Sequence, residues 1–225
     1  MTSHNRPYLG GGIFTLPDIG QILKIPYNKV HRWIKEYWDT ILAHDFEQTY
    51  SWHDGNSRAV SFHTLMELVV FSQLHGSGVK PKKILEAHKE LSEKFDTMFP
   101  FASFKVIRNM FSDGSKIYFK DGEDVIYSMG SHRQLNLKFI VDFFKNIDFG
   151  DDELAARFWP MGRENAIVVD PKHQFGQPVI DGTNITADAL YSMNKAGDPP
   201  KYIAYLYEIE EKQVLDAIEF CKPAA

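Results

Sequence analysis

Proline and glycine divide residues 167–220 into short segments, and this division limits what the chain can form there. The β-branched run at residues 167–169 ends before Pro171, because proline fixes φ and has no backbone N–H to donate. Two glycines and a second proline surround the apolar pair Val179-Ile180, a pattern that favours a small hairpin over a long sheet. The sequence therefore predicts a short β element at the start of this stretch.

Three short helices are predicted after the β element. Thr183 or Thr186 can cap the first helix, which ends at Gly197. Asp198 and Pro199 are predicted as the cap and first-turn proline of the second helix. The apolar positions of the three helices are Ala187, Leu190 and Met193, then Ile203, Ala204 and Leu206, then Val214, Leu215, Ala217 and Ile218. Short helices with tight turns predict a homeodomain-like or helix-turn-helix unit.

This stretch resembles a small family catalogued as a domain of unknown function, number four hundred and thirty-three. Its pattern is a V-V-D-P opening, a G-x-P-V-I-x-G-T-x-I core, a helix that ends in glycine, and a closing helix introduced by an acidic turn. The matching positions are Asp170, Pro171, Gly176, Pro178, Ile180, Gly182, Thr183, Ile185, Gly197, Ala204, Tyr207, Val214 and Ala217. Glu210 departs from the pattern, since members usually have Ser or Thr there, so we expect a weaker cap on the last helix.

Larger members of the family carry a DNA-binding region in front and resemble VapB-type antitoxins. The resemblance implies a type II toxin-antitoxin system. In such a system, the antitoxin binds a PIN-like ribonuclease toxin and represses its own promoter.

Composition indicates a folded protein whose binding preferences must come from local charge. The 225 residues include 44% hydrophobic and 14% aromatic residues, enough for buried cores. The net charge of −5 argues against a surface that binds nucleic acid throughout. Cys221 is the only cysteine, which excludes an internal disulfide and fits a reducing compartment. Since the sequence contains no signal-peptide pattern or membrane-spanning apolar run, we expect a cytoplasmic protein that does not contact a membrane.

The N-terminal part predicts a helix-turn-helix motif after a flexible polar lead at residues 1–12. Thr15 can cap a first helix, and Ile25-Pro26 makes the turn into a second. Two helices within about 22 residues match the motif that docks in a major groove. The stretch F-T-L-P-D-I-G-Q-I-L-K-I-P-Y-N-K-V-H-R-W-I resembles the first motif of MerR-type and excisionase-type regulators.

A polar turn at residues 53–57 separates two β-rich runs and predicts a hairpin. A hairpin directly after a helix-turn-helix motif would be a wing. Two helices are predicted next, around residues 65–74 and 84–91, with Gly76 and Gly78 between them. This part also resembles the segment that follows the wing in MerR-type proteins.

The middle of the chain predicts a second hairpin around residues 120–123 and a helix from about Arg133 to Ile147. An acidic cluster at residues 151–153 then leads to the C-terminal unit. We therefore predict a DNA-binding region at residues 13–150 and a C-terminal domain at residues 151–225.

DNA binding has the strongest local signal. The second N-terminal helix contains several cations beside aromatic and amide side chains, and no acid lies between Lys24 and Lys35. The candidate DNA-binding residues are Lys24, Tyr27, Asn28, Lys29, His31, Arg32 and Lys35, with Arg58 in the wing and Lys80, Lys82 and Lys83 at a later helix start. The alternative is an ordinary solvated helix face around a buried Trp33.

The C-terminal unit has the opposite charge. Residues 167–225 contain nine acidic and five basic residues, so this unit would repel a phosphate backbone. We predict that it binds a protein, because aromatic residues are enriched at interfaces. The candidate partner-binding residues are Tyr191, Tyr202, Tyr205, Tyr207 and Glu211. The alternative is that several of these tyrosines belong to a small core.

No enzyme signature is recognisable in the sequence. The nine histidines lack metal-ligand spacing, and the chain has no phosphate-binding loop, dinucleotide turn or serine elbow. Asp151, Asp152 and Glu153 fit a solvated linker better than a Mg²⁺ site, and Cys221 has no recognisable base beside it. We expect no catalytic residue, no metal and no cofactor.

Together these features predict a mainly α-helical protein with small β hairpins, which has an N-terminal winged helix-turn-helix and a C-terminal homeodomain-like three-helix unit. The leading hypothesis is an antitoxin-like regulator that binds double-stranded operator DNA and a PIN-like toxin. We expect a homodimer, because helix-turn-helix proteins commonly recognise two half-sites. The alternative is a non-catalytic protein-interaction scaffold that does not bind DNA, and an enzyme ranks third.

Overall fold

The computed structural model describes residues 10–43, 49–54, 57–112, 117–121, 124–127 and 143–223. The helices are α1 (Leu16–Leu23), α2 (Tyr27–Trp33) with a π-helical continuation (Ile34–Leu42), α3 (Phe62–Gly76), α4 (Pro81–Phe95), α5 (Phe104–Ile107), α6 (Ala187–Ala196), α7 (Pro200–Tyr207) and α8 (Glu211–Cys221). The strands are β1 (Phe14–Thr15), β2 (Ser51–Asp54), β3 (Ser57–Val60), β4 (Met110–Ser112), β5 (Ile117–Asp121), β6 (Asp124–Tyr127), β7 (Ile147–Phe149), β8 (Ala155–Phe158), β9 (Ile167–Val168) and β10 (Val179–Ile180). All of these strands pair antiparallel, in small sheets of two or three strands. Because helices account for most of the regular structure, the prediction of a mainly helical fold with small β elements is confirmed.

The predicted pair of N-terminal helices is present. Thr15 is the N-cap of α1. The backbone N–H (2.8 Å) and the hydroxyl (2.6 Å) of Thr15 both donate hydrogen bonds to the Asp18 carboxylate. Lys24 ends α1 in the left-handed conformation, with φ 54°. The helix that starts at Tyr27 continues beyond Trp33 as a π-helix, which the sequence pattern did not reveal. A π-helix of this length is rare, so propensity alone does not favour it.

The predicted hairpin after these helices is confirmed. Strands β2 and β3 pair in the register Trp52↔Ala59 and His53↔Arg58, and β1 adds to the other edge of β3 through Phe14↔Val60. This three-stranded sheet lies beside α1. Gly55 and Asn56, at the predicted turn, lie outside the described residues.

Helices α3 and α4 enclose a buried polar pair. The Ser61 side chain caps α3 by accepting from the Thr64 backbone N–H (3.3 Å). Glu67 Oε2 of α3 lies 2.8 Å from His88 Nε2 of α4, and both side chains are buried. Glu67 Oε1 also accepts from the Phe101 backbone N–H (2.8 Å). Burial raises the pKa of the Glu67 carboxyl, and the opposing effect of His88 is smaller.

The second predicted hairpin is also present, between β5 and β6, and β4 extends it to three strands. Its turn residues 122–123 lie outside the described residues, as do residues 128–142, which include most of the helix predicted from Arg133. The predicted end of that helix is wrong, because Ile147 begins β7 and pairs with Phe158 of β8. A β-branched residue that pairs with a neighbouring strand is stabilised by packing that helix periodicity does not detect.

The C-terminal unit follows the predicted order of a short hairpin and three helices. Strands β9 and β10 pair through Ile167↔Ile180, and Thr186 rather than Thr183 caps α6 (3.4 Å to the Ala189 N–H). Gly197 ends α6 in the left-handed conformation, with φ 110°.

The starts of α7 and α8 differ from the expected caps. Pro199 is the N-cap of α7 and Pro200 its first-turn proline, one position later than predicted. Glu210 is the N-cap of α8, and its backbone N–H donates to the Gln213 side-chain carbonyl (2.9 Å). This bond satisfies one backbone donor without the Ser or Thr typical of the family pattern.

One hydrophobic core connects both ends of the described chain. A single cluster of buried side chains includes Phe14, Trp33, Phe71, Phe158 and Phe220. A smaller cluster contains Trp159, Val168 and Val179. The proposed boundary near residue 150 stays a prediction, and residues 1–9 of the predicted lead lie outside the described part. No described helix is long and apolar enough to cross a membrane.

Candidate nucleic-acid interface and C-terminal surface

Helix α2 and its π-helical continuation bring five of the eleven predicted DNA-binding residues onto one exposed face. Val30 and Trp33 are buried, whereas the first two residues of α2 and the two residues between Val30 and Trp33 face solvent. The exposed candidates are Tyr27, Asn28, His31, Arg32 and, in the π-helical continuation, Lys35. Lys29 is half-buried, and its ammonium lies 4.9 Å from the Trp33 ring centre. This face offers cations, an amide and an aromatic hydroxyl, which are groups that contact phosphates and base edges.

The structure places Lys24 apart from this face. Its ammonium donates to the backbone carbonyls of Phe220 and of Lys222 (2.9 Å) at the end of α8. It also lies 5.0 Å from the Phe220 ring centre. Lys24 is therefore engaged within the protein.

Arg58, the predicted wing residue, is also engaged within the protein. Its guanidinium lies 2.7 Å from Asp39 in the π-helical segment, and Asp39 accepts a second hydrogen bond from Ser51. Arg58 thus connects the hairpin to the helix that precedes it.

Lys80, Lys82 and Lys83 lie at the start of α4. Lys80 and Lys82 are exposed, and Lys83 is half-buried. The Lys82 ammonium lies 3.9 Å from the Glu86 carboxylate one turn later. A surface pair of this kind contributes little to stability and leaves Lys82 accessible.

The predicted partner-binding residues fall into two groups. Tyr202 and Tyr205 on α7 are exposed, and Tyr205, at 81%, is the most exposed large hydrophobic residue in the described part of the chain. Glu211 in the first turn of α8 is also exposed. Tyr191 and Tyr207 are half-buried, and Tyr207 packs against the hydrophobic core. The core interpretation therefore fits Tyr207, and partner binding by the exposed tyrosines stays a prediction.

Two leucines were assigned to the wrong face. Leu206 of α7 and Leu215 of α8 are about half exposed, although the sequence placed both on the apolar sides of their helices. Val214 and Ala217 lie on the side of α8 that packs into the core, so the intervening Leu215 faces outward. The signal that could have identified Leu206 is its spacing of four from Tyr202, which puts both on one helix face.

The opening loop of the C-terminal unit is internally hydrogen-bonded. The buried Asp170 binds the Lys172 backbone N–H (2.8 Å) and His173 Nδ1 (2.9 Å). Asp170 and His173 line a small pocket together with Arg157. The Arg157 guanidinium contacts the carboxylates of Asp148 (2.7 Å) and Asp181 (3.4 Å). The charged side chains of this pocket are therefore held in place by hydrogen bonds and ion pairs within the protein. No group of three His, Cys, Asp or Glu side chains suited to a metal occurs among the described residues.

The C-terminal family resemblance is supported by comparison with known proteins. Residues 167–221 match the family described as "Protein of unknown function (DUF433)". The chain is 31% identical over 78 residues to "Putative antitoxin VapB45" of Mycobacterium tuberculosis. That match covers 34% of this chain and 33% of the relative, so the chain spans about a third of the relative's length.

A solved structure shares the fold over most of the chain. It is the X-ray crystal structure of Rv2018 from Mycobacterium tuberculosis, with a TM-score of 0.67 and 18% sequence identity. The similarity covers 91% of this chain and 96% of the other. At this identity the likeness concerns the fold alone. The resemblance of the N-terminal part to MerR-type regulators stays a prediction.

Proposed function

We propose that the protein is an antitoxin-like transcriptional regulator that binds operator DNA through α2 and a PIN-like ribonuclease toxin through its C-terminal unit. In this proposal α1, α2 and the β2–β3 hairpin form a winged helix-turn-helix, and α6 to α8 form a homeodomain-like unit. The protein acts in the cytoplasm as a homodimer that recognises two half-sites. It represses its own operon and has no catalytic activity.

The exposed face of α2 carries the DNA-binding part of the proposal. Tyr27, Asn28, His31 and Arg32 project from a helix whose other side is anchored by buried Val30 and Trp33. Lys35, in the π-helical continuation, extends this exposed face by about one turn. A rigid helix with such a face fits a recognition element in a major groove. Lys24 and Arg58 are left out of the contact set, because both are bound to other parts of the protein.

The C-terminal part of the proposal rests on the similarity to the relative named as an antitoxin and on surface chemistry. Tyr202, Tyr205, Leu206 and Leu215 are exposed beside Glu208, Glu210 and Glu211. An aromatic and apolar surface next to acids fits a partner with an apolar patch and a basic rim.

A gel-shift titration with promoter DNA at several salt concentrations tests DNA binding. We expect the combined alanine replacement of Lys29, Arg32 and Lys35 to weaken binding and to lower the salt slope by roughly 0.9 for each lost phosphate contact. The control is Lys195→Ala, an exposed lysine at the end of α6. Unchanged affinity and slope in the triple variant would contradict the assignment and favour a scaffold that does not bind DNA.

A further inference from the structure

The C-terminal unit contacts the beginning of α1. The Ile13 backbone N–H donates to the Phe175 carbonyl (2.9 Å), directly before β1 and α1. Gly176 packs so closely on the Phe14 ring that an added Cβ would overlap with Phe14 Cζ. Gly176 also has a φ of 92°, which other residues rarely adopt. This junction therefore requires glycine for two separate reasons.

The same unit contacts the end of α1. Lys24, the C-cap of α1, donates from its ammonium to the carbonyls of Phe220 and Lys222. One turn earlier, the Gln21 side-chain amide lies 3.4 Å from Cys221 Sγ. Helix α1 is thus held at both ends by a unit that follows it by more than 140 residues in the sequence.

The end of α8 explains why a lysine is present at this position. The last carbonyls of a helix lack intrahelical partners and form the negative end of its dipole. Lys222 follows α8 with φ −59° and ψ 138°, so no left-handed residue closes the helix. The Lys24 ammonium supplies donors and positive charge at this point. Its partial burial lowers the pKa of Lys24, which agrees with a side chain withdrawn from solvent.

A displacement of α1 would also displace α2. The turn between the helices is short, and the Ile25 backbone N–H donates to the Gly20 carbonyl (3.0 Å). A Cβ at Gly20 would lie only 3.0 Å from the Ile25 carbonyl oxygen, so the turn is tightly packed. Buried residues on both helices share one core. The orientation of α2 is therefore tied to that of α1.

We propose that these contacts form a clamp, which we call the α1 clamp, and that it fixes the orientation in which α2 meets DNA. It consists of Ile13, Phe14, Gln21 and Lys24 on the N-terminal side and of Phe175, Gly176 and residues 220–222 on the C-terminal side. In this arrangement Lys24 is a positioning residue and not a phosphate contact. The inference rests on the proposed DNA binding by α2.

The salt dependence of DNA binding distinguishes positioning from contact. Lys24→Gln in the full chain should lower affinity for promoter DNA about tenfold and leave the salt slope unchanged. Lys29→Gln, which removes a proposed phosphate contact, should lower the slope by roughly 0.9. Lys24→Arg retains a cation and several donors, so it should recover most of the affinity. Far-UV circular dichroism of each variant verifies that it folds.

Cys221 provides a second readout that does not require DNA. It is the only cysteine of the chain and is half-buried beside Gln21 in the clamp. Its reaction with iodoacetamide should become at least severalfold faster in Lys24→Gln, and it should keep the wild-type rate in Lys24→Arg and Lys29→Gln. Loss of the Lys24 charge by itself would raise the pKa of the Cys221 thiol and slow this reaction, so a faster rate reports exposure of Cys221 and hence weaker docking of α8 on α1.

Three results would overturn the inference. A reduced salt slope in Lys24→Gln with an unchanged Cys221 rate would make Lys24 a direct DNA contact. A faster Cys221 reaction with unchanged DNA affinity would show that the clamp does not position α2. If the wild-type protein fails to bind promoter DNA, the proposed function falls and the positioning role with it, whereas Cys221 still reports whether the clamp exists.

Discussion

At the scale of single residues, the carboxylate of Glu67 is the least ordinary group in the core. It is fully buried between α3 and α4, with Oε2 lying 2.8 Å from His88 Nε2 and Oε1 accepting a hydrogen bond from the Phe101 backbone N–H. Removing one partner of such a pair is strongly destabilising, because the other remains buried without compensation. The sequence could not identify Glu67 and His88 as partners, since the two lie 21 positions apart on different helices.

The pH dependence of unfolding tests the environment of Glu67. Because burial raises the pKa of Glu67 above its unfolded value, this carboxyl stabilises the fold most at acidic pH. Its contribution is lost as the pH rises through the folded pKa. Glu67→Gln cannot titrate, so its free energy of unfolding should rise relative to wild type with increasing pH, by about 1.4 kcal/mol for each unit of pKa difference. Urea titrations at a series of pH values measure this difference.

The control for this prediction is Glu90→Gln, which changes an exposed carboxylate on α4. Its stability relative to wild type should vary little with pH. A constant difference between Glu67→Gln and wild type across the acidic and neutral range would contradict a raised pKa.

At the scale of secondary-structure elements, α7 is the helix most suited to contact a partner. Tyr202, Tyr205 and Leu206 are exposed over only two turns, while Ile203 and Ala204 bury the opposite side. Aromatic side chains that are exposed in the free protein and buried on association often dominate binding energy. The tyrosines were predicted from composition. Leu206 was predicted to be buried, because it was grouped with the apolar neighbours Ile203 and Ala204.

Tyr205→Ser should weaken binding to the proposed PIN-like toxin at least tenfold, because it removes the most exposed aromatic side chain of α7. Isothermal titration calorimetry with a purified PIN-like ribonuclease, the proposed partner, measures the effect. Lys201→Ala on the same helix is the control, and neither variant should change DNA affinity. Equal toxin affinity of Tyr205→Ser and wild type would remove α7 from the proposed interface.

At the scale of the whole molecule, the continuous core predicts cooperative unfolding. Buried side chains from Phe14 to Phe220 form one cluster, and the α1 clamp adds polar contacts between the two ends of the chain. Calorimetry should therefore show a single transition, with coincident curves from tryptophan fluorescence and from Cys221 accessibility. Two separated transitions would support independent domains with a boundary near residue 150.

Much of the local structure could be predicted from the sequence. Proline, glycine, capping residues and apolar spacing located α1, α2, the β2–β3 hairpin and the three C-terminal helices to within a few positions. These features depend on backbone geometry and on neighbours a few residues away, and this information is present in any short stretch of the sequence. The same reasoning gave the wrong end for the helix predicted to reach Ile147, because strand pairing stabilises that residue.

By itself, the sequence determined the order of short helices and hairpins, the acidic character of the C-terminal unit and the cations of α2. Only the tertiary structure decided which charges remain available. It placed Lys24 against α8 and Arg58 against Asp39, and it turned Leu206 and Leu215 outward. The physical reason is that a side chain's partner is set by chain segments that packing brings together, and those segments can lie almost 200 residues apart, as Lys24 and Phe220 do.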